Sequence, residues 1–218
     1  MNRLSTRTLA DVLDALGTSE PVPAGGAAAA VGAALGVSLL IMVARLRNAR
    51  LVKRLDISNV VAAATTLKTL RRELLAAADE DGEAYGAVLA AYHLPRTTEA
   101  ESLVRAGAVQ QAMRVATDVP LKIMRNCRDA MAIAIPVAQF SVTGAKADMV
   151  VALELLMASL RGAGSCVGAN LATLTDGQYV SRLMRERQEL EAAGFRFSER
   201  VVQLQMLRIF RRNWASKA

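Results

Sequence analysis

Residues 21–46 read PVPAGGAAAAVGAALGVSLLIMVARL, and they carry no charge between Glu20 and Arg45. A run of this kind is either a membrane span or the buried centre of a soluble helical protein. Its first half is Ala and Gly, which contribute little transfer free energy, and neither end carries Trp or Tyr. We therefore favour the buried centre. Gly32 and Gly36, four residues apart on one helix face, predict that a second helix approaches closely.

The turn before this helix has two possible interpretations. Pro21 and Pro23 stiffen the chain, while Gly25 and Gly26 leave backbone N–H groups uncovered at the positive end of the helix dipole. These groups form either an anion site or a tight turn that leads into a core helix. From this segment alone, the turn is the more common use.

Composition predicts one all-α domain spanning residues 1–218. Hydrophobic residues make up 53% of the chain and aromatic residues only 4%, which is typical of packed helices rather than of a sheet, and no linker-like segment divides the chain. The net charge of +7 favours an anionic partner. Nucleic acid, a lipid surface and a polyanionic small molecule all remain open at this point.

The rare residue types exclude several kinds of site. His93 is the only histidine, so His-based triads and multi-histidine metal sites are excluded. Cys127 and Cys166 have no neighbours that would complete a metal site or a redox pair, which predicts two buried thiols. The N-terminus lacks the apolar run of a secretory signal, so we expect a cytoplasmic protein without metal or cofactor.

A long helix predicted from Asn59 to Tyr92 carries one acid in an apolar stripe. Asp79 and Glu80 fall outside the stripe, whereas Asp81 lies inside it. The stripe follows steps of three and four residues through Leu67, Leu70, Leu74, Ala78, Asp81, Tyr85, Val88 and Tyr92. A carboxylate that is partly desolvated there needs a cationic partner. That partner is either an arginine of the protein or a positively charged substrate, and the stripe does not decide between them.

The remaining helices can be outlined from their caps and glycines. A capping box at Thr98–Glu101 opens a helix that we expect Asp118 to recap, with Pro120 in the first turn of its continuation. A second small-residue helix is predicted from Asp148 to Leu171 as partner of the first. The basic segment 178–210 predicts one or two amphipathic helices with a break at Gly194. Such basic tails are usually solvated faces, so nucleic acid or a membrane surface is an unlikely partner.

Four ordered blocks of sequence resemble the cyclodeaminase/cyclohydrolase family over roughly residues 8–205. These blocks begin with Thr8-Leu-Ala-Asp-Val-Leu leading to Pro23-Ala-Gly-Gly and Met42-Val-Ala-Arg-Leu, and continue with Leu70-Arg-Arg-Glu-Leu leading to Asp79-Glu-Asp-Gly-Glu-Ala-Tyr, Ala116-Thr-Asp-Val-Pro-Leu, and Asp148-Met-Val-Val-Ala leading to Val167-Gly-Ala-Asn-Leu. Several blocks in one order are more specific than any single block.

The resemblance implies an all-helical homodimer with two central Ala/Gly-rich helices and a folate bound near the subunit contact. The family's catalytic acid matches Asp81, which the stripe had already singled out. The implied reaction is hydrolysis of 5,10-methenyltetrahydrofolate to 10-formyltetrahydrofolate, in which a carboxylate binds the cationic bridge and helps to deprotonate water. The resemblance further implies that Gly25 and Gly26 line the cleft, that Arg50 lies near the anionic tail, and that Asp148 and Asn170 lie at the pterin side.

Two alternatives remain, one from the departures of the chain from the family pattern and one from the family's sister reaction. Ala24 replaces a glycine, and the loop Ser141–Asp148 lacks the two asparagines of the family and keeps only the final Asp148. A noncatalytic pterin-binding paralogue that acts as a binding or assembly subunit is therefore one alternative. The other is formiminotetrahydrofolate cyclodeaminase. We prefer the cyclohydrolase because the 218 residues hold no formimidoyltransferase domain.

Overall fold

The computed structural model describes residues 3–46 and 54–215, with side chains described except at residues 54–58, 143 and 207–215. This part of the chain forms six α-helices: α1 (Leu9–Leu16), α2 (Gly25–Arg45), α3 (Arg54–Tyr92), α4 (Glu99–Phe140), α5 (Lys146–Leu171) and α6 (Gly177–Ala215). Two single-turn 3-10 helices, Leu4–Thr6 and Thr143–Ala145, precede α1 and α5. The all-α class is confirmed.

The centre of the bundle is the antiparallel pair α2 and α5. A Cβ atom added to Gly36 would lie 2.9 Å from the Ala152 carbonyl oxygen, and one added to Gly32 would lie 2.9 Å from Ser159 Oγ. Only glycine allows backbones this close. The predicted packing of two small-residue helices is therefore confirmed, and α3, α4 and α6 surround the pair.

Both central helices are long and apolar enough to cross a membrane by length and composition alone. In the bundle, however, 61% of the most apolar window of α2 and 50% of that of α5 is buried against other helices. Ala27, Val37 and Leu160 are fully buried. This packing is that of core helices, as the interpretation of residues 21–46 expected.

Helix α4 differs from the prediction at its middle. The capping box is confirmed, since Glu101 N–H donates to Thr98 Oγ1 (3.2 Å), but Asp118 does not recap the chain. The helix continues unbroken through Pro120. Proline supplies no N–H to the carbonyl four residues earlier, here that of Ala116. The Asn170 side chain donates to that carbonyl oxygen instead (2.8 Å), which offsets the missing helical bond.

Helix α6 is also continuous, and the predicted break at Gly194 is wrong. A Cβ at this position would lie 2.5 Å from Leu160 Cδ2 and 3.3 Å from Met131 Sδ. The glycine therefore permits α6 to approach α4 and α5 closely, rather than ending a helix. Because glycine serves both purposes, local sequence does not distinguish them.

Candidate functional site

A cavity of about 350 Å³ opens where the N-terminus of α2, the middle of α3 and the C-terminus of α5 meet α4. Most of its wall is apolar, and its polar groups gather at the α2 end. Its lining comprises Val22, Ala24, Gly25, Gly26, Asp81, Tyr85, Val88, Leu89, Tyr92, Met113, Ala116, Cys166, Ala169 and Asn170. The cavity thus brings together four of the predicted site residues, Gly25, Gly26, Asp81 and Asn170.

Asp81 is held at the N-terminus of α2 by a backbone group. The Ala27 N–H donates to Asp81 Oδ2 (3.0 Å), so the carboxylate lies at the positive end of the helix dipole. Gly26 makes this position possible, because a Cβ there would overlap the carboxylate, lying 2.6 Å from Cγ and 2.8 Å from Oδ2. The Gly-Gly turn is therefore a binding site for a carboxylate of α3, which the sequence pattern left open.

The protonation of Asp81 reflects two opposing effects. Burial raises the pKa of its carboxyl group above the usual value, and the Ala27 N–H lowers it by a smaller amount. Within the described ranges Asp81 forms no ion pair with Lys, Arg or His. The fixed arginine that we considered as its partner is therefore not found there. The Asp81 carboxyl group thus has a raised pKa, faces the cavity, and is not neutralised by a cationic side chain of the described residues.

The two neighbouring acids have structural partners instead. Asp79 accepts hydrogen bonds from the N–H (3.0 Å) and hydroxyl of Ser5, which fix the N-terminal segment against α3. Glu80 pairs with Lys122 of α4 (2.9 Å). Both acids lie outside the apolar stripe and stay partly exposed, and each joins α3 to another segment. Of the three acids, Asp81 alone lines the cavity.

The side-chain amide of Asn170 uses its nitrogen to stabilise the fold and leaves its oxygen available. Its Nδ2 donates to the Ala116 carbonyl oxygen, as described above, and Oδ1 has no partner among the described residues. Asn170 and Ala116 both line the cavity. The side chain therefore presents a fixed hydrogen-bond acceptor to anything bound beside Asp81.

Cys166 is a cavity residue that the sequence did not indicate. Cys127 is fully buried, and burial raises the pKa of its thiol to about 12. Cys166 is only half-buried, and its Sγ would lie 3.7 Å from a Cβ on Gly25. Burial and the nearby Asp81 charge both raise the pKa of the Cys166 thiol. Only contacts between α2, α3 and α5 reveal this placement, so the sequence offered no signal for it.

Tyr85 and Tyr92 line the cavity rather than the core. Both belong to the apolar stripe of α3 but remain 39% and 44% exposed, whereas Val88 between them is buried. Arg105 of α4 stacks over the Tyr92 ring, with its guanidinium carbon 5.5 Å from the ring centroid. The stripe thus divides into a packed half before Asp81 and a cavity wall after it.

Asp148 and Asn170 lie at opposite ends of α5, separated by 22 residues or roughly 33 Å of helix. A single subunit therefore does not bring these two residues to one pterin side, and their joint assignment stays a prediction. Asp148 lies in the first turn of α5, at the end of the bundle where Val142 N–H donates to Leu46 O (3.2 Å). Arg50 falls outside the described residues.

Comparisons with known proteins agree on one family. The family model described as Formiminotransferase-cyclodeaminase matches residues 8–189. A methenyltetrahydrofolate cyclohydrolase of Methylorubrum extorquens is 34% identical over 89% of this chain and 93% of its own length. A formimidoyltransferase-cyclodeaminase of Gallus gallus is 30% identical over 85% of this chain, which spans 36% of that longer protein.

One solved structure shows the same fold. The crystal structure of formiminotetrahydrofolate cyclodeaminase from Thermotoga maritima superposes with a TM-score of 0.84, at 23% identity, over 94% of this chain and 99% of that one. The resemblance drawn from the four sequence blocks is confirmed.

Proposed function

Because the chain belongs to the formiminotransferase-cyclodeaminase family, we propose that it hydrolyses 5,10-methenyltetrahydrofolate to 10-formyltetrahydrofolate in one-carbon metabolism. The observation that carries the proposal is Asp81, a partly desolvated carboxylate that faces a cavity and has no cationic partner among the described residues. The methenyl bridge of the substrate is a cation delocalised over N5 and N10. This bridge would be the cationic partner that Asp81 lacks among the described residues.

The chemistry requires one carboxylate and one water molecule. As the water oxygen bonds to the methenyl carbon, Asp81 accepts a proton from that water. The resulting hydroxyl adduct loses its C–N5 bond, N5 takes a proton, and the carbonyl of 10-formyltetrahydrofolate forms. The net change adds one water and releases one proton. A raised pKa makes Asp81 a stronger base, and its charge favours the cationic substrate.

The polar end of the cavity suits the pterin ring. Gly25 and Gly26 place backbone at the N-terminus of α2 beside the ring, and Asn170 Oδ1 is available to accept from a ring N–H. The α2 dipole favours the ionised form of Asp81 while the substrate is bound. These residues would orient the bridge, and Asp81 would act on it.

The sister reaction remains the second candidate, because the similar structure from Thermotoga maritima is a formiminotetrahydrofolate cyclodeaminase. That reaction closes the same N5–C–N10 ring with release of ammonia. Wild-type protein supplied with each substrate separately distinguishes the two, since ammonia is released in only one case. A noncatalytic paralogue would bind folate and transform neither substrate.

The direct test follows the methenyl absorbance band during incubation with wild type or with Asp81→Asn. We expect the band to disappear with wild type and a loss of rate on the order of 100-fold or more with the variant. Asn preserves the shape and the acceptor for Ala27 N–H, so circular dichroism should be unchanged. Equal rates would remove Asp81 from its role. Folate binding without turnover in wild type would favour the paralogue.

We also propose a cytoplasmic homodimer. Helix α2 has no charged residue between Gly25 and Ala44, yet Leu35 on its outer side is 47% exposed. Leu9 of α1 is 58% exposed, and both leucines line a second cavity of about 300 Å³. A second copy packed here in antiparallel orientation would cover this apolar surface. It would also bring the Asp148 end of one subunit to the Asp81 end of its partner.

Subunit complementation tests this arrangement. Asp81→Asn and Asp148→Asn should each be inactive alone, and a coexpressed mixture should recover about a quarter of wild-type activity, since half of the dimers would hold one intact site. A mixture that stays inactive, or full activity of Asp148→Asn, contradicts the shared site. A one-subunit mass by light scattering contradicts the dimer itself. We retain the role of Arg50 near the anionic tail as a proposal, and coexpression of Arg50→Gln with Asp81→Asn tests it in the same way.

A further inference from the structure

We propose that Arg105 binds the α-carboxylate of the first glutamate in the folate tail and thereby makes the site selective for glutamylated substrates. This inference rests on the proposed function and identifies a residue of the same subunit as Asp81. Three observations support it: the unmet hydrogen-bonding capacity of Arg105, the polarity of the cavity wall, and the distance from Asp81.

Arg105 is fixed in place but not neutralised. Its Nε donates to the Tyr92 carbonyl oxygen (3.0 Å), and its guanidinium stacks over the Tyr92 ring. No other hydrogen bond or ion pair joins Arg105 to a described residue. Its terminal amines therefore keep donors in the geometry that binds a carboxylate bidentately.

The acid best placed to pair with Arg105 is occupied elsewhere. Glu101 precedes it by four residues on α4, the usual spacing of a helical ion pair. Glu101 Oε2 instead accepts from the N–H groups of Thr97 (2.8 Å) and Thr98 (2.9 Å) and caps the helix. The capping box thus leaves the positive charge of Arg105 unpaired among the described residues, beside Tyr92 of the cavity wall.

The cavity changes from polar to apolar along α3. Asp81, the Gly25-Gly26 backbone and Asn170 form one end, and Val88, Leu89 and Met113 line the part that leads to Tyr92. A pterin needs several polar partners, whereas a p-aminobenzoyl ring needs apolar and aromatic walls. With the pterin at the polar end, the ring would lie toward Tyr92 and the glutamate would emerge at Arg105.

The distance along α3 matches the length of the ligand. Asp81 and Tyr92 are separated by 11 residues, roughly 16 Å of helix. The p-aminobenzoyl amide separates the N5–N10 bridge from the α-carboxylate by about 10 Å at standard bond lengths. Contacts of about 3 Å at each end account for the rest. Arg45, at the other end of α2, lies roughly 30 Å from Gly25, so that end of the same subunit does not reach this tail.

The test compares two stable ligands, 5-formyltetrahydrofolate and the primary amide of 5-formyltetrahydropteroate, which lacks the glutamate and carries no carboxylate in its place. Calorimetry at low salt would measure their affinities for wild type, Arg105→Gln, Arg105→Lys and the control Arg72→Gln. Arg72 is an exposed arginine of α3 that hydrogen-bonds to no described residue except Thr69, and it lies nine residues, roughly 14 Å of helix, before Asp81. The control therefore removes the same charge at a residue that does not line the cavity.

We expect Arg105→Gln to weaken binding of the glutamylated ligand on the order of tenfold to hundredfold and to leave binding of the pteroate amide unchanged. Arg105→Lys should be intermediate, Arg72→Gln should match wild type, and the preference of wild type for the glutamylated ligand should fall with salt. In turnover, Arg105→Gln should raise KM and leave kcat unchanged.

The outcomes separate this inference from the proposed function. Wild type that turns over substrate but binds both ligands equally, or Arg105→Gln that weakens both equally, refutes the tail site alone. Wild type that prefers the glutamylated ligand through Arg105 without any turnover refutes the hydrolase and supports the tail site. Wild type that binds neither ligand and turns over no substrate overturns both.

Discussion

Replacing Gly26 by alanine should displace Asp81 without removing a single atom of it. The added Cβ would lie 2.6 Å from Asp81 Cγ, so the carboxyl carbon would have to retreat by about 0.8 Å to reach an ordinary contact of 3.4 Å. A shift of that size lengthens the 3.0 Å bond from Ala27 N–H beyond hydrogen-bond range. Misplacement of a catalytic group by about 1 Å commonly costs about 100-fold in rate, which is the loss we expect in kcat.

The expected change in stability is small because two effects oppose each other. Overpacking lowers the free energy of unfolding by about 1–3 kcal/mol, and exchange of glycine for alanine in a helix raises it by about 1 kcal/mol. Chemical denaturation should therefore show a loss of about 0–2 kcal/mol in the free energy of unfolding. The methenyl absorbance assay, run on protein that denaturation shows to be folded, isolates the catalytic effect.

Two alanine variants serve as controls. A Cβ on Gly25 would lie 3.7 Å from Cys166 Sγ, an ordinary contact, and a Cβ on Gly82, the neighbour of Asp81, would meet nothing within 4 Å. Gly82→Ala should keep full activity and gain up to about 1 kcal/mol of stability. Gly25→Ala should lose much less activity than Gly26→Ala. Wild-type activity in Gly26→Ala, or equal losses at Gly25 and Gly26, would refute the argument that Gly26 positions the carboxylate.

Two further predictions concern stability. Burial raises the pKa of Asp81, so between its unfolded and folded pKa values the folded protein binds more protons than the unfolded chain, and the free energy of unfolding falls as pH rises through that window. Denaturation curves at several pH values should therefore show Asp81→Asn matching wild type below the window and more stable than wild type above it. Asn170→Ala should cost about 1–3 kcal/mol in wild type, because it leaves the Ala116 carbonyl without a donor, and less in a Pro120→Ala background that restores the helical N–H; additive losses in this double-mutant cycle would contradict the link.

Helical periodicity was sufficient to find Asp81. Its place in the stripe of α3 follows from steps of three and four residues, and a carboxylate in an apolar stripe requires a partner whatever the fold. The two central helices followed from the same kind of local information, since four-residue glycine spacing within a nearly uncharged segment favours a close helix contact. Composition was sufficient for the all-α class.

Residues whose roles depend on distant contacts could not be found in this way. Asn170 compensates for Pro120, which lies 50 residues earlier, and Cys166 lies beside Gly25 across two helices. Pro120 and Gly194 misled the prediction because local sequence shows that a residue can interrupt a helix, and only the neighbouring helix determines whether it does.

The placement of Asp148 shows how a resemblance and helix geometry constrain each other. Motif order assigned Asp148 and Asn170 to one pterin, yet both belong to a single predicted helix, whose rise sets them roughly 33 Å apart. A rigid helix cannot bring its two ends to one ligand. If both residues serve one site, they must come from different subunits, so Asp148 tests the assembly rather than the fold. No residue of the altered Ser141–Asp148 loop lines the Asp81 cavity of its own subunit, so if its two missing asparagines matter to the proposed reaction, they must act across the proposed subunit contact.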